Sequence, residues 1–179
     1  MGFDLYGENP KMNSKPGDFP VYSKYREMDW NKKEEDFNKD IKLQDKYFEE
    51  MSEDEEANPG FYFRNNCWWW RPLWHFVCNE CDDILTEEDM DKGSYNDCHL
   101  IDKEKAIAIA DRLDKMNKAG VIDEYAVGFE TQRLQAKEDN KGKKCSDDGY
   151  DWSESYPFDA DNVREFAKFC RDSGGFTIG

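Results

Sequence analysis

Residues 62–74 read YFRNNCWWWRPLW and contain four of the six tryptophans of the chain. The large apolar ring of tryptophan is unfavourable in water, so this density of indoles anchors a hydrophobic core or forms a recognition surface. The same stretch carries Arg64 and Arg71 together with two adjacent asparagines. It is therefore the part of the sequence from which fold and function are best approached.

The stretch divides into a predicted strand and a predicted helix. Residues 61–70 are rich in aromatic side chains and follow a turn signal at 58–60, which favours a strand. Pro72 suits the first turn of a helix, where its missing N–H would have no partner, so we predict a helix over 71–81. Consecutive tryptophans on a strand would point to alternate faces, so at most half of them would face one site.

The rest of the chain supplies further helices and the two terminal strands. Asp102 is a good N-cap for a helix with a regular apolar stripe, and helices are also predicted over 123–135 and 159–172. Residues 3–6 and 176–178 are predicted strands that pair with each other. The predicted fold class is α+β, with a small antiparallel sheet covered by a helical hairpin and a C-terminal helix.

A charged segment at residues 11–60 differs in composition from the rest of the chain. A length of 179 residues suits one domain, so we predict a single domain over 1–179 in which 11–60 is an insertion that begins with a loop over 11–19. One apolar stripe in the insertion predicts a docked helix, although so few apolar residues also fit a disordered segment. The stripe consists of Phe37, Ile41, Gln44 and Phe48.

The charge balance restricts the classes of partner. The chain has 41 acidic and 25 basic residues, a formal net charge of -16 and a pI near 4.5. Such a surface repels the phosphate backbone, which argues against direct nucleic-acid binding. The same acidity allows an alternative hypothesis, in which the protein mimics the charge of DNA and occupies a DNA-binding enzyme.

Membrane association and secretion find no support in the sequence. The start, MGFDLYG, lacks the basic and apolar regions of a secretory signal, and no stretch reaches the ~20 apolar residues of a membrane span. We therefore expect an intracellular protein without a membrane partner. Because the interior of a cell is reducing, we expect the six cysteines to be reduced thiols or metal ligands rather than disulfides.

Four of these groups form a candidate zinc site. A CxxC pair is followed downstream by an adjacent cysteine and histidine, and these residue types are zinc ligands. Adjacent residues rarely bind one ion together, and the CxxC lies in a predicted apolar helix face, so buried inert thiols are the alternative. Cys145 is a possible substitute ligand. The candidate metal ligands are Cys78, Cys81, Cys98 and His99, and zinc is the one cofactor considered.

Catalysis is not indicated by any motif. The sequence has no Walker loop, no GxGxxG, no GxSxG and no HExxH. A nucleophile with a positioned base would have to use His75 or His99, since these are the chain's two histidines. The residue pattern thus favours a protein without enzymatic activity.

The tryptophan stretch does offer groups for a small-ligand pocket. Aromatic faces stack on a base or sugar, arginine pairs with phosphate through two parallel hydrogen bonds, and asparagine recognises polar edges. The alternative is that these residues serve as core and scaffold. The candidate ligand-binding residues are Arg64, Asn65, Asn66, Trp68, Trp70 and Arg71.

Several motifs make the chain resemble a family of small proteins encoded by tailed bacteriophages. The matching stretches are MGFDLYGENP at 1–10, YFRNNCWWWRPLW at 62–74, LTEEDM at 85–90, YND at 95–97, IDKEKA and IADRL within 101–113, and YPFDADNVREFAKFCRDSGGF at 156–176. The resemblance implies phage origin and expression in the cytoplasm of a bacterial host. It implies no particular activity.

We therefore predict a non-enzymatic phage accessory protein that acts by binding. Its partner is an unidentified host or phage protein, or a small nucleotide-like ligand, bound through the aromatic surface from Arg64 to Trp74. Three alternatives from other classes stay open, namely an acidic decoy that mimics DNA, a zinc-binding module and a minor virion component.

Overall fold

The structure, a computed structural model, describes residues 2–15 and 17–179. Met1 of the N-terminal motif and Pro16 of the predicted loop 11–19 lie outside the described residues. One antiparallel sheet has the strand order β2-β1-β4-β3. Its strands are β1 (Gly2–Gly7), β2 (Tyr62–Asn66), β3 (His99–Ile101) and β4 (Phe176–Ile178). The helices are α1 (Pro20–Tyr25), α2 (Trp30–Lys39), α3 (Ile41–Ala57), α4 (Cys67–Glu80), α5 (Glu87–Lys92), α6 (Lys103–Lys118), α7 (Val121–Asp139) and α8 (Ala160–Asp172), with a short 3-10 turn at Trp152–Ser155.

Strand β1 lies inside the sheet and pairs with both β2 and β4. Leu5 pairs with Phe63 on one side and with Ile178 on the other, and all three side chains are buried. Phe3 and Leu5 alternate with more exposed neighbours, the period-two pattern of a strand with one buried face. The predicted pairing of the two terminal strands is confirmed, whereas β3 was not predicted.

Helices cover the buried face of the sheet as predicted. Helix α6 packs along α8, and Gly120, with a φ of 76°, makes the turn from α6 into α7. The apolar stripe of α6 is buried at Ala106, Ile109, Ala110, Leu113 and Met116. The α+β fold class, with its small antiparallel sheet, helical hairpin and C-terminal helix, is confirmed.

The tryptophan stretch is where the secondary-structure prediction is wrong. The predicted strand over 61–70 ends at Asn66, and the helix predicted to begin at Arg71 already begins at Cys67. The side chain of Asn66 accepts hydrogen bonds from the backbone N–H groups of Trp68 and Trp69, which makes it the N-cap of α4. A capping asparagine therefore outweighs the strand propensity of the three consecutive tryptophans.

The insertion forms three helices around a small core of its own. Tyr25, Phe37 and Tyr47 are buried together, with ring centroids 5.4 Å apart for Tyr25 and Phe37 and 5.2 Å for Phe37 and Tyr47. The predicted single stripe is wrong, because Asp40 ends α2 and caps α3 and so breaks the helix in two. Phe48 is consequently exposed, and its neighbour Tyr47 is buried instead.

Hydrogen bonds join the two ends of the insertion to each other, and backbone contacts hold these ends against the end of α8. The side-chain oxygen of Asn58 accepts hydrogen bonds from the N–H groups of Asn13, at 2.8 Å, and Ser14, at 3.1 Å. Gly60 lies against the backbone of Asp172, where a Cβ atom would overlap the chain. In the part of the chain that the structure describes, no helix combines the length and the apolar composition needed to cross a bilayer.

Candidate functional site

Helix α4 carries the tryptophans into the core and leaves one of its faces open. The indole N–H of Trp70 donates to the carbonyl of Gly93 at 2.8 Å, and that of Trp74 donates to the carbonyl of Met90 at 3.1 Å. Both rings are buried and stack on each other with centroids 5.3 Å apart. A Cβ at residue 93 would overlap the indole of Trp74. The two indoles therefore fix α5 and the loop after it against α4.

An open groove of about 680 Å³ lies between α4, the α5 region, α7 and the 3-10 turn. We call it the α4 groove. Its apolar lining consists of Trp70, Pro72, Trp74, Cys78, Met90 and Phe129. Its polar lining consists of Arg71, His75, Ser94, Tyr95, Ser153 and Tyr156. A cavity of this size, mostly apolar and with a few polar groups, has the character of a small-molecule site.

Arg71 is positioned over the groove by an aromatic partner. Its Nη1 donates to the hydroxyl of Tyr156 at 2.7 Å, and its guanidinium carbon lies 5.8 Å from the centroid of that ring. Trp68 also contacts Tyr156, with the two ring centroids 5.1 Å apart. Because Nη1 is used in this one contact, the other guanidinium donors stay available for a ligand.

The charge environment of Arg71 differs from that of every other arginine. Among the residues that the structure describes, six of the seven arginines form a salt bridge with a carboxylate, and Arg71 is the exception. None of the twelve residues lining the groove is acidic, although 41 of the 179 residues in the chain are Asp or Glu. The α4 groove is thus a locally cationic site on an anionic protein.

His75 lies one helical turn after Arg71 and also lines the groove. Its Nδ1 is 3.2 Å from the side-chain nitrogen of Asn79, which donates to the ring if Nδ1 is unprotonated. The spacing of four residues places His75 and Arg71 on the same face of the helix.

The structure brings together part of the predicted ligand-binding set. Trp70 and Arg71 line the α4 groove, and Trp68 contacts it through Tyr156. The other three candidates serve local structure and do not line this groove. Arg64 pairs with Asp4 on the neighbouring strand, Asn65 donates to Asn162 on α8, and Asn66 caps α4.

Sequence reasoning missed most of the groove for two reasons. His75 was considered only as a possible catalytic base, although it lies within the predicted helix over 71–81. The spacing of Arg71, His75 and Cys78 within that helix already places them on one face. The remaining lining residues come from α5, α7 and the segment around Tyr156, and no local pattern relates them to α4.

Among the described residues, the four candidate zinc ligands are not gathered into a group that could hold a metal ion. Across residues 2–15 and 17–179, no group of three or more His, Cys, Asp or Glu side chains is placed to hold a metal ion. Burial raises the pKa of the Cys78 and Cys81 thiols to about 12, so both are protonated at neutral pH in the metal-free protein. Cys98 is exposed, with a φ of 60°. His99 is already engaged by a carboxylate at 2.9 Å.

That carboxylate, Asp89, joins three elements behind the groove. It accepts hydrogen bonds from His99 Nε2 at 2.9 Å, Lys105 Nζ at 2.6 Å and the backbone N–H of Thr86 at 2.8 Å. Burial by itself would raise the pKa of Asp89, but these hydrogen bonds outweigh it and hold the pKa well below its usual range. The cluster therefore fixes α5, which carries Met90 of the groove.

Comparison of the chain with protein-family models, with curated proteins and with solved structures yields no match.

Proposed function

We propose that this protein is a non-enzymatic binding protein whose ligand is a planar anion of nucleotide type, held in the α4 groove. The observation that carries the proposal is Arg71, whose guanidinium faces the groove without a carboxylate partner among the described residues. In a protein with a net charge of -16, an unpaired arginine in a groove free of acidic residues favours an anionic ligand.

The apolar lining favours a flat ring system attached to the anionic group. Aromatic residues of α4, α7 and the segment after the 3-10 turn border the cavity, and such side chains stack on planar ligands. Pro72 has no backbone N–H, so the carbonyl of Trp68 lacks its usual helical donor and is available for an additional hydrogen bond. A base or similar ring would contact the apolar lining while its phosphate approaches Arg71.

The chemistry of the groove supports binding over catalysis. Cys78 is the one thiol in the lining, and its burial raises the pKa to about 12, so it is protonated at neutral pH. The ring of His75 contacts the side-chain amide of Asn79, and an amide does not orient a histidine as a base for a nucleophile. The resemblance to small phage proteins adds to the proposal that the ligand or partner is met in an infected bacterial host.

The test is a thermal melting experiment with a set of ribonucleoside 5′-monophosphates and the matching uncharged nucleosides. A ligand at a hundred times its Kd stabilises the folded protein by about 2.7 kcal/mol, which gives a measurable rise in melting temperature. We expect at least one nucleotide to raise it and its nucleoside to raise it less. Arg71→Gln should weaken nucleotide binding by about tenfold, because it removes hydrogen bonds to a charged group.

Arg64→Gln is the matched control, because it makes the same chemical change seven residues earlier in a side chain that does not line the groove. It should leave nucleotide binding unchanged. Equal losses in the two variants, or stabilisation by nucleosides as strong as by nucleotides, would contradict the proposal.

A further inference from the structure

A second pocket of about 400 Å³ lies where the insertion meets the edge of the sheet. We call it the junction pocket. Helices α1 and α3 form one side of it, and residues at or near the paired strands β1 and β2 form the other. Its aromatic lining consists of Tyr6, Tyr22, Tyr47, Phe61 and Tyr62. These rings come from both parts of the molecule, so the pocket exists because the insertion is docked on the sheet.

The rings of the junction pocket already hold one guanidinium group. Arg26 lies with its guanidinium carbon 5.6 Å from the ring centroid of Tyr22 and 5.3 Å from that of Phe61. Both distances are in the range of cation–π attraction. Arg26 also pairs with Glu27 at 3.3 Å. Arg26 shows that the lining accepts a guanidinium, and the partly exposed rings of Tyr6 and Tyr62 are further aromatic groups of the same pocket.

Two further carboxylates in the lining have no cationic partner among the described residues. Asp54 is buried, and its Oδ1 accepts hydrogen bonds from Ser14 at 3.1 Å and from Asn58 at 2.7 Å, while no described residue donates to its Oδ2. Glu55, next to it, forms neither a salt bridge nor a side-chain hydrogen bond within the described chain. Partial loss of hydration, together with the negative charge of Asp54, raises the pKa of Glu55. The negative charge on this side of the pocket is thus uncompensated.

We propose that the junction pocket binds an arginine side chain of a partner protein. A guanidinium can contact the partly exposed rings of Tyr6 and Tyr62 and pair with the carboxylates of Asp54 and Glu55, a combination that the compact ammonium of lysine matches less well. The net charge of -16 adds a long-range attraction for a basic segment of the partner. This site is separate from the α4 groove, and the two share no lining residue.

The experiment is an NMR titration of the whole protein with the blocked peptide acetyl-Gly-Arg-Gly-amide, following the tyrosine ring signals. The neutral isostere with citrulline in place of arginine, and the lysine peptide, are titrated in parallel. We expect shifts at Tyr6, Tyr22 and Tyr62, and an affinity for the arginine peptide at least about tenfold above that for the citrulline peptide. Equal affinities for arginine and citrulline, or shifts confined to other tyrosines, would overturn the proposal. A lysine peptide that binds as tightly as arginine would also overturn it.

Two variants that remove the same charge distinguish binding by the pocket from attraction by the overall negative charge. Glu55→Gln removes a carboxylate of the pocket, whereas Glu53→Gln removes an exposed carboxylate of the same helix that does not line it. Glu55→Gln should weaken arginine-peptide binding about threefold to fivefold, and Glu53→Gln should leave it nearly unchanged. Equal weakening would show that only net charge attracts the peptide. Arg71→Gln should have no effect on the peptide, which keeps this test independent of the α4 groove.

Discussion

The α4 groove and the junction pocket are both lined by aromatic side chains, yet their charges are opposite. The groove contains Arg71 and His75 and no carboxylate, whereas the junction pocket contains Glu27, Asp54 and Glu55 with a single arginine. Both lie on a chain with a net charge of -16. The comparison shows that net charge describes the surface as a whole and does not predict the sign of an individual site.

The two sites also differ in how firmly their walls are held. The groove is bounded by indoles that belong to the main core and by helices packed on the sheet. The junction pocket depends on the smaller core of the insertion and on its docking. We therefore expect the groove to be lost only when the whole domain unfolds, and the junction pocket to be lost when the insertion alone is disturbed.

The largest expected effect is that of Trp70→Ala, which removes a fully buried wall of the groove. Loss of such a ring from a packed core should lower the free energy of unfolding by about 3–5 kcal/mol. Trp68→Ala is the matched control, because Trp68 is 42% exposed and should cost less than about 1 kcal/mol. Urea denaturation of the two variants measures both values. Similar losses would mean that the indoles are not divided between core and surface as described.

Phe37→Ala tests whether the insertion can be disturbed separately. Phe37 is buried against Tyr25 and Tyr47, so its truncation should cost the insertion about 3 kcal/mol. We expect arginine-peptide binding to be lost while nucleotide binding in the α4 groove persists. Hydrogen exchange should show faster exchange in α1, α2 and α3 and little change in α8. Loss of both binding activities together would show that the two parts unfold as one unit.

Asp89→Asn tests the support behind the groove and has a defined pH dependence. Removal of one partner from this buried charged cluster should lower the free energy of unfolding by about 2–3 kcal/mol at neutral pH. The folded-state pKa of Asp89 lies below its unfolded value, so its contribution is present above about pH 4 and declines as the pH falls further.

The difference in stability between Asp89→Asn and the unmodified protein should therefore shrink steadily below about pH 4. Chemical denaturation at a series of pH values measures it. Asp91→Asn on the same helix is the control, since Asp91 is exposed and lies outside the cluster. A difference that stays constant down to low pH would contradict the assigned role of the carboxylate.

The smallest expected effect is a contrast in salt dependence. Added NaCl screens both the local attraction of each site and the long-range field of the protein. The arginine peptide is attracted both by the carboxylates of the junction pocket and by the net negative charge of the protein. Its affinity should therefore fall several-fold as the salt concentration is raised to about 0.5 M. A nucleotide is attracted by Arg71 in the α4 groove and repelled by the net negative charge of the protein. Salt screens both effects, so its affinity should change by less than about twofold. Identical salt slopes at the two sites would remove the electrostatic distinction between them.

Local patterns predicted much of the fold. The apolar stripe of α6, its Asp102 cap and the pairing of the terminal strands all followed from residue spacing and turn signals. The prediction was wrong where two local signals competed. Asn66 capped a helix that begins with residues of high strand propensity, and Asp40 divided one apolar stripe between two helices. Strand β3 has three residues, too few to show a period, and it forms because β4 offers an edge for pairing.

The candidate site was predictable only in part. The sequence identified Trp68, Trp70 and Arg71 as candidate residues because indole rings stack on planar ligands and guanidinium groups pair with phosphate. It did not indicate that Tyr156, which lies 85 residues further along the chain, would hold Arg71 at the groove. Nor did it separate Arg64 from Arg71, since both occur in the same cationic stretch.

By itself, the sequence determined which groups have to be buried, capped or paired, because those requirements depend on each side chain and its near neighbours. The tertiary structure decided which arginine lacks a carboxylate, which indoles border a cavity, and where acidic side chains meet tyrosine rings. These properties depend on distances between residues far apart in the chain, and those distances are fixed only when helices and sheet pack around a shared core.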